Sequence, residues 1–218
     1  MIALADAAAV ILAAGAGSRF GGGKVRASLD GRPLLAHVVA AVREAGIGRV
    51  VVVLGRDAGA VLGAVRQAGP AALERVVVAV NPAPERGLAT SLQLGFGAAS
   101  ATPIPAAIFV LLGDQPRVRA GVLRELFRAA GAAPVAAIAV VPRYDEDAAP
   151  NPVLLLPAGW SLVARLAGDR GLGPLLAADP DRVVQVAVAG ANPDVDTPAD
   201  LAAIAASVAP AGRAAGRG

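Results

Sequence analysis

The sequence predicts an α/β fold with a mainly parallel sheet and helices on both faces, and two observations lead to this prediction. Short runs of apolar, mostly β-branched residues alternate with alanine-rich segments that are long enough for crossover helices. The apolar runs are continuous, which is typical of parallel strands covered on both faces. With 218 residues, 56% of them hydrophobic, the chain can bury a full core. We expect one domain over residues 1–208 and a short frayed tail over 209–218.

The predicted elements follow one another in a regular order. The first strand begins at 8–11, and the later strands cover 50–54, 76–80, 108–112, 135–141 and 183–188. The helices between them cover 33–45, 58–68, 88–98 and 119–130. Ligands of such sheets bind outside the carboxyl ends of the strands. The residues that follow each strand therefore form the candidate site.

Composition excludes several classes of function. The net charge is only +3, the basic residues are spread thinly, and six aromatic residues are too few for base stacking, so nucleic-acid binding is not expected. Without cysteine the chain has no disulfide, zinc cluster or thiol nucleophile, which fits a reducing cytoplasm. The segment 7–17 is predicted to be a strand rather than a signal peptide, and the apolar stretch 132–142 is shorter than the roughly 18 residues of a membrane span. We expect a soluble cytoplasmic protein without a membrane partner.

A glycine-rich loop follows the first strand, from Leu12 to Lys24. Its five glycines allow backbone N–H groups to converge on one anion, and Arg19 and Lys24 add positive charge. Lys24 is the only lysine of the chain, beside nineteen arginines. The glycine spacing does not match the dinucleotide-binding fingerprint, and Ser18 and Val25 stand where a P-loop requires glycine and Ser or Thr. The loop is suited to neutralising a polyphosphate that reacts or leaves.

Carboxylates follow two of the predicted strands. Asp114 comes after five apolar residues and Gly113, and Asp196 comes after the last strand, with Asp194 nearby. Mg²⁺ usually takes one or two protein carboxylates and completes its octahedron with waters and phosphates. Asp114 and Asp196 are therefore candidate Mg²⁺ ligands, and the sequence leaves open whether Asp194 rather than Asp196 is the second one. Capping of the helix that begins near Pro198 is an alternative role for Asp196, and the two roles are compatible.

His37 is the only histidine, and it lies on a predicted helix. We expect it to have a packing or surface role. Without cysteine or a second histidine, the chain offers little material for a catalytic triad or a histidine–metal site. Phosphoryl or nucleotidyl transfer to a phosphate does not need them, because a phosphate monoester is already mostly anionic at neutral pH.

Seven segments, spread in order over nearly the whole chain, resemble one known family. They are Leu12-Ala13-Ala14-Gly15 through Lys24, Asp30-Gly31-Arg32-Pro33-Leu34-Leu35, Asn81-Pro82 through Gly87 with Ser91-Leu92, Gly113-Asp114-Gln115-Pro116, Asn151-Pro152-Val153, Gly168-Asp169-Arg170-Gly171, and Asp194-Val195-Asp196-Thr197-Pro198. On these residues the chain resembles the MobA-like nucleotidyltransferases, and within them the molybdenum cofactor cytidylyltransferases. The opening loop alone indicates only a nucleotidyltransferase, and the later motifs make the resemblance more specific.

The resemblance implies a Rossmann-like three-layer sandwich and a role for each matching segment. The catalytic residues would be Arg19, Lys24 and Asp114, and the ligands of Mg²⁺ would be Asp114 and Asp196. The nucleotide would be bound by Leu12, Ala13, Ala14, Gly15, Gly17, Ser18, Arg19, Lys24, Asn81, Ser91 and Asp114. The acceptor would be bound by Gln115, Pro116, Asn151, Pro152 and Asp169.

The resemblance also implies a reaction, the transfer of CMP from CTP to molybdenum cofactor with release of pyrophosphate. Leu-Ala-Ala-Gly goes with cytidine in this family and Leu-Ala-Gly-Gly with guanosine, so Ala14 indicates CTP rather than another NTP. The product would pass to a molybdenum hydroxylase. The chain departs from the family in the half that would face the acceptor, where Asn151 replaces a frequent histidine and Gly171, Leu172 and Gly173 replace Gly-Ala-Arg.

Other functions are compatible with these residues. The acceptor could be another phosphorylated small molecule, such as a sugar phosphate or phospholactate. A protein of a different class would bind the cofactor without turnover and deliver it to a molybdenum hydroxylase. The pair Asp114 and Asp196 favours turnover over such a carrier, because a carrier needs no metal carboxylates beside a triphosphate loop. A dehydrogenase is disfavoured by the glycine spacing.

Overall fold

A computed structural model of the chain describes residues 3–145 and 149–207. The tail predicted over 209–218 lies outside these residues. The described strands are β1 (Ala8–Ala13), β2 (Ser28–Leu29), β3 (Arg32–Pro33), β4 (Arg49–Leu54), β5 (Val76–Val80), β6 (Ile108–Leu112), β7 (Ala139–Tyr144), β8 (Val153–Leu155) and β9 (Val183–Val188). The described helices are α1 (Leu34–Ala45), α2 (Ala58–Ala68), α3 (Leu88–Ala99), α4 (Ala120–Ala130), α5 (Ser161–Ala164), α6 (Gly173–Ala177) and α7 (Pro198–Ala206).

Seven strands form one sheet in the order β5-β4-β1-β6-β8-β7-β9. The pairs on either side of β1 are parallel, as is the pair of β7 and β9, whereas β8 runs antiparallel to both of its neighbours. Helices α1, α2 and α4 pack on one face, and α3, α5 and α6 pack on the other. The predicted α/β class with a mainly parallel sheet is thus confirmed, and β1 lies near its centre with every residue buried.

Most predicted strands and helices match the observed ones within one or two residues, but β7 does not. It was expected at 135–141 and runs from Ala139 to Tyr144. The four residues before it form a turn in which the N–H of Ala137 donates to the carbonyl of Pro134, and Val135 is 99% exposed. A hydrophobic run interrupted by a proline turn therefore begins later than its composition suggests.

Two further expectations need correction. The three-residue strand β8 was not predicted, because it is short and directly follows Pro152. Coverage of every strand on both faces was also expected, but β5 is an edge strand whose Val77 and Val80 are 48% and 50% exposed. Edge strands lack a neighbour on one side, so a continuous apolar run does not by itself establish burial.

A small hairpin lies outside the main sheet. Strands β2 and β3 pair through a turn at Asp30 and Gly31, both of which have positive φ. The single histidine supports this hairpin, since Nε2 of His37 lies 2.8 Å from the carbonyl oxygen of Leu29. The packing role expected for His37 agrees with this contact. Among the described residues, no helix is long and apolar enough to cross a bilayer.

Candidate active site

The glycine-rich loop leaves the carboxyl end of β1 and folds back on itself. Gly17 adopts a left-handed φ of 60° and precedes the short helical turn Ser18–Phe20. A Cβ atom on Gly17 would lie 2.9 Å from the Cβ of Lys24, closer than real contacts allow. Glycine at this position therefore lets Lys24 return to the start of the loop.

The loop lines a cavity of about 270 Å³. The cavity is lined by the loop from Leu12 to Gly17, by Lys24 and Asp114, and by residues at the start of α3. The N–H groups of Gly15, Ala16 and Gly17 donate to no other residue that the structure describes. These donors are thus available to an anion, as a phosphate-binding loop requires.

Asp114 is held beside this loop by the ends of two central strands. The N–H of Gly113 donates to the carbonyl of Leu12 at 2.8 Å, and a Cβ on Gly113 would lie 2.9 Å from that of Ala13. Gly113 therefore allows the close approach of β6 to β1. The Asp114 side chain is only 18% exposed at the edge of the cavity.

Asp196 reaches the same place from the last loop of the chain. The neighbouring Val195 is fully buried, and its N–H donates to the backbone carbonyl of Asp114 at 3.0 Å. Val195 packs in an apolar cluster with Leu29, Leu34 and Ile204. The buried valine anchors the loop, so Asp196 is held opposite Asp114.

Helix α7 begins directly after Asp196 with a capping box. The side chain of Thr197 accepts from the N–H of Asp200, while Asp200 accepts from the N–H groups of Thr197 and Asp196. Hydrogen bonds from the Thr197 side chain and from these N–H groups lower the pKa of Asp200. The cap is therefore built by Thr197 and Asp200, which leaves the Asp196 carboxylate free for the site.

Lys24 bridges the two carboxylates. Its Nζ lies 2.5 Å from Oδ2 of Asp114 and 2.9 Å from Oδ1 of Asp196, and its side chain is 13% exposed. Burial lowers the pKa of Lys24, but hydrogen bonds and charges from the two aspartates outweigh it and raise the pKa overall. The hydrogen bond from Lys24 lowers the pKa of Asp196, and the exposed Arg19 adds a contact of 3.3 Å to its Oδ2.

The pair of carboxylates fits a divalent cation. Both reach one ammonium group, so a single cation can contact both, and Oδ1 of Asp114 is buried without a hydrogen-bond partner. Such an orphaned carboxylate oxygen is costly unless a cation uses it. No group of three or more His, Cys, Asp or Glu that could hold a metal occurs in the described parts of the chain. The chemistry fits Mg²⁺, which accepts few protein ligands, better than a metal that needs a full protein cage.

A buried pair of amides connects the loops that carry Asp114 and Asp196. Gln115 and Asn192 are each 2% exposed. Nε2 of Gln115 donates to the backbone carbonyl of Asn192 at 3.2 Å, and Nδ2 of Asn192 donates to Oε1 of Gln115 at 3.2 Å. Nε2 of Gln115 also donates to Oδ1 of Asp194 at 2.5 Å. Asp194 is thereby directed toward Gln115, whereas Asp196 faces Lys24.

The environment of Asp194 differs from that of Asp196. Neighbouring atoms displace water from its carboxylate, and together with the charge of Asp114 this raises the pKa of Asp194, although much of the residue's surface stays exposed. The sequence motifs identify Asp194 only as a neighbour of Asp196, and they assign no role to Asn192. The position of Asn192 shortly after β9 was a signal for it, but its partner Gln115 could not be identified from the sequence.

The remaining residues expected to bind nucleotide fall into two groups. Ala13, Ala14 and Ser91 line the cavity. Ser18 and Asn81 do not. Ser18 is exposed outside the cavity lining, whereas Asn81 is 4% exposed and its Nδ2 donates to the hydroxyls of Thr90 and Ser91 at 2.9 Å. Asn81 therefore orders the start of α3, and it reaches the cavity only through Ser91.

The residues expected to bind the acceptor are divided among three places. Asp169 lines the cavity beside the loop, and Asn151 lines a second cavity of about 480 Å³. Gln115, Pro116 and Pro152 are buried and line neither cavity. The structure thus brings Asn151 and Asp169 to the surface of the site and places the other three residues beneath it.

The second cavity adjoins the first, since Leu12, Leu88 and Leu112 line both. Its walls are mostly aliphatic, and the polar side chains in them are Arg143, Tyr144, Asn151 and Gln185. Gly171, Leu172 and Gly173, at which the chain departs from the family pattern, also line it. Burial raises the pKa of Tyr144 to about 12, and its hydroxyl donates to the carbonyl of Asn151 at 2.9 Å. The sequence did not indicate that Arg143, Tyr144 and Gln185 line a cavity, because they belong to strands rather than to the loops after them.

Comparison with known proteins identifies the family. The model of the MobA-like NTP transferase domain matches residues 9–183, which include the glycine-rich loop and Asp114. The chain belongs to this family. The resemblance inferred from the sequence motifs is thus confirmed at the level of the MobA-like nucleotidyltransferases.

Curated relatives of this MobA-like chain include the bifunctional protein GlmU. GlmU of Sorangium cellulosum is 34% identical over 167 residues, which cover 76% of this chain and 33% of GlmU. GlmU of Geobacter metallireducens is 33% identical over 145 residues, which cover 66% of this chain and 29% of that protein. The chain therefore spans about a third of the length of these relatives.

Solved structures match nearly the full length of the chain. Rv0371c of Mycobacterium tuberculosis H37Rv, in complex with manganese, is 28% identical with a TM-score of 0.76, and 93% of this chain and 99% of that chain are covered. A nucleotidyl transferase from Methanothermobacter is 27% identical with a TM-score of 0.69, and the match covers 92% of this chain and 96% of that chain. The Rossmann-like nucleotidyltransferase fold is confirmed by these neighbours, and the chain is a nucleotidyltransferase by family and by structure.

Proposed function

We propose that the protein is a Mg²⁺-dependent cytidylyltransferase that transfers CMP from CTP to molybdenum cofactor and releases pyrophosphate. One observation carries this proposal: free N–H groups, Lys24, Asp114 and Asp196 converge at the carboxyl end of the central strands. A triphosphate needs such a combination, because both its own charge and the charge of the leaving pyrophosphate must be neutralised.

Asp114 and Asp196 would hold the metal. Their carboxylate oxygens, which include the buried and unpartnered Oδ1 of Asp114, would supply the protein ligands, and phosphate oxygens and waters would complete the shell. Manganese in the complex of Rv0371c supports a divalent cation at this fold. When bound, the metal would neutralise charge on the triphosphate and on the pyrophosphate that leaves.

The residues of the chain would position the reacting phosphates. A phosphate oxygen of the acceptor attacks the α-phosphorus of CTP, the bond from that phosphorus to the bridging oxygen breaks, and the electron pair leaves with pyrophosphate. The N–H groups of Gly15 to Gly17 would bind the triphosphate, and Lys24 and the exposed Arg19 would neutralise the leaving group. No general base is required, because the acceptor phosphate is already anionic at neutral pH.

The choice of CTP rests on Ala14. This residue lies in the loop at the end of β1, is 7% exposed and lines the cavity. Its carbonyl oxygen would lie 2.7 Å from a Cβ on Gly55, so the backbone of β4 packs closely behind it. A methyl group at a fixed position can discriminate between bases by steric fit, and the expected discrimination is modest.

The second cavity supports an acceptor that carries a ring system. It opens onto the phosphate cavity, and its mostly aliphatic walls offer few hydrogen-bond partners to the several hydroxyls of a sugar. A flat heterocycle can rest its faces on such walls and direct its edges to Arg143, Asn151 and Gln185. These features favour a pterin-type acceptor over a sugar phosphate.

A sugar phosphate is the second candidate acceptor, since Arg143, Asn151 and Gln185 could also bind some of its hydroxyls. Under this alternative the metal site and the transfer chemistry are unchanged. A non-catalytic carrier that delivers the cofactor to a molybdenum hydroxylase is the alternative without turnover.

The test is pyrophosphate release in the presence of Mg²⁺. Each of CTP, GTP, ATP and UTP is incubated with molybdenum cofactor and, separately, with a panel of sugar phosphates. Release with CTP and molybdenum cofactor is the expected result. Release only with a sugar phosphate would reassign the acceptor, and tight cofactor binding without release from any pair would identify a carrier.

A further inference from the structure

The ammonium group of Lys24 forms ion pairs with one carboxylate oxygen of each of the two aspartates in the site. These are Oδ2 of Asp114 and Oδ1 of Asp196, at 2.5 Å and 2.9 Å. We infer that Lys24 is an internal counterion of the metal site, and that a divalent cation and this ammonium group compete for the same two carboxylates. The inference rests on the proposed function, since it takes Asp114 and Asp196 as the metal ligands.

The competition follows from the charges around Lys24, where Asp196 is 46% exposed and the other two groups are largely buried. The side chains of Lys24 and Asp114 are 13% and 18% exposed, so water screens their interaction only weakly. Mg²⁺ binds oxygen at about 2.0 Å, so a cation that bridges the two aspartates would lie in contact with the ammonium. Because two cations in contact repel strongly at low exposure, one of them must move.

The Cβ end of the Lys24 side chain is fixed, whereas its ammonium end can move once its contacts with the aspartates are replaced. The Cβ atom packs against Gly17, where a methyl group would not fit, and Val25 beyond it is buried. The four-carbon chain can carry Nζ away from the aspartates while Cβ stays in place. Lys24 lines the same cavity as Gly15 to Gly17, so a displaced ammonium can move toward the place of the triphosphate.

Metal and nucleotide binding are coupled by this movement. A cation on Asp114 and Asp196 releases the ammonium to the phosphates, and phosphates that attract the ammonium vacate the carboxylates for the cation. Each ligand therefore removes the charge that opposes the other. In the absence of nucleotide, Lys24 lowers the affinity of the site for divalent cations.

A rival role for Lys24 makes the opposite prediction. If the ammonium served only to keep the two carboxylates together, its removal would let them repel and would weaken metal binding. The two roles are distinguished by the metal affinity of the nucleotide-free protein, which does not depend on activity.

The first experiment measures Mn²⁺ affinity by electron paramagnetic resonance or calorimetry without nucleotide. Lys24→Met should bind Mn²⁺ about tenfold more tightly than the wild type, because a hydrogen bond to a charged group contributes free energy of the order that a tenfold change represents. Arg19→Met is the matched control, since Arg19 contacts Asp196 from the exposed side only. Equal gains in both variants would indicate a general charge effect and would overturn the inference, as would unchanged, weaker or undetectable binding in Lys24→Met.

The second experiment uses the wild type and needs no variant to fold. Lys24 is the only lysine of the chain, so labelling lysine with ¹³C at Cε gives one NMR resonance next to the moving ammonium. Addition of Mg²⁺ alone should shift this resonance, and the dissociation constant from this titration should equal the Mg²⁺ dissociation constant calculated from the displacement of Mn²⁺. A resonance that stays constant while Mn²⁺ is displaced would overturn the inference.

These outcomes are independent of the proposed reaction. If Lys24 is displaced by Mg²⁺ but no nucleotide pair releases pyrophosphate, the counterion role stands and the proposed function fails. If pyrophosphate is released but Lys24→Met binds Mn²⁺ more weakly than the wild type, as the rival role predicts, the proposed function stands and the inference fails.

Discussion

The amide pair of Gln115 and Asn192 provides the sharpest test of how the site is held together. Replacement of Gln115 by alanine removes two donated bonds, to the Asn192 carbonyl and to Asp194, and one accepted bond from Asn192. All of them lie between the loop that carries Asp114 and the loop that carries Asp196. The variant therefore weakens the connection between the proposed metal ligands without changing either of them.

The magnitude follows from these three bonds. Each bond between neutral groups contributes about 1 kcal/mol, and the bond to the carboxylate contributes somewhat more. Asp194 is exposed, so water can replace the hydrogen bond that it loses. Asn192 is only 2% exposed, and water cannot replace the bond from its Nδ2 to Gln115, which is shorter than the bond from Nδ2 to the carbonyl of Asn151. We expect Gln115→Ala to lower the free energy of unfolding by about 3 kcal/mol.

Urea unfolding followed by fluorescence of the single tryptophan, Trp160, measures this change. Gln93→Ala is the matched control, because Gln93 also donates two bonds to backbone carbonyls but lies exposed on α3. We expect the control to lose less than about 1 kcal/mol. In pyrophosphate release, Gln115→Ala should lower kcat more than it raises the KM for CTP, since the carboxylates lose their alignment while the phosphate loop stays intact.

Equal destabilisation in the two variants would refute this reasoning. It would mean that the buried bonds of Gln115 contribute no more than surface bonds. An unchanged kcat in a destabilised Gln115→Ala would refute the prediction that the amide pair aligns the two carboxylates. The two loops would then be aligned by Val195 and its backbone bond alone.

Three further predictions concern single residues. Asp114→Ala should abolish pyrophosphate release and retain the native circular dichroism spectrum, and retained turnover would remove Asp114 from the mechanism. Thr197→Ala removes the cap of α7 and should lower the free energy of unfolding by about 1 kcal/mol, measured by urea unfolding against Ser207→Ala, at the other end of the helix. Tyr144 is the only tyrosine, so the absorbance of its phenolate should titrate near pH 12 in the folded protein and near pH 10 in denaturant. Its raised pKa stabilises the fold fully below about pH 10 and progressively less as the pH rises toward 12, a loss that Tyr144→Phe should abolish. A folded-state midpoint near 10 would contradict the burial of this hydroxyl.

The predicted strand ends located the site because parallel strands end at one edge of a sheet. The glycine-rich loop, Asp114 and Asp196 each follow an apolar run, and the structure brings them within contact of Lys24. The spacing of glycines and the single lysine also indicated a phosphate-binding loop that is neither a dinucleotide fingerprint nor a P-loop. These features are local, so a sequence can display them.

Residues that depend on partners distant in sequence could not be assigned in this way. Gln115 and Pro116 follow the same strand as Asp114 but turn inward, because Asn192, 77 residues later, offers the amide that Gln115 pairs with. Asn81 follows β5 yet is used by Thr90 and Ser91. A polar residue after a strand can face a ligand or complete the interior, and only its neighbours decide which.

The amino-acid sequence by itself determined most strands and the long helices of the main sheet, the phosphate loop and the two acidic strand ends, because these arise from short-range periodicity, glycine backbone freedom and residue chemistry. Only the tertiary structure decided that one ammonium spans both carboxylates, that a buried amide pair aligns their loops, and that β5 is an exposed edge. It also decided that an aliphatic cavity adjoins the phosphate loop, between β7, β9 and α6. Each of these depends on the distance between segments far apart in the chain, and such distances are set by the packing of the whole core.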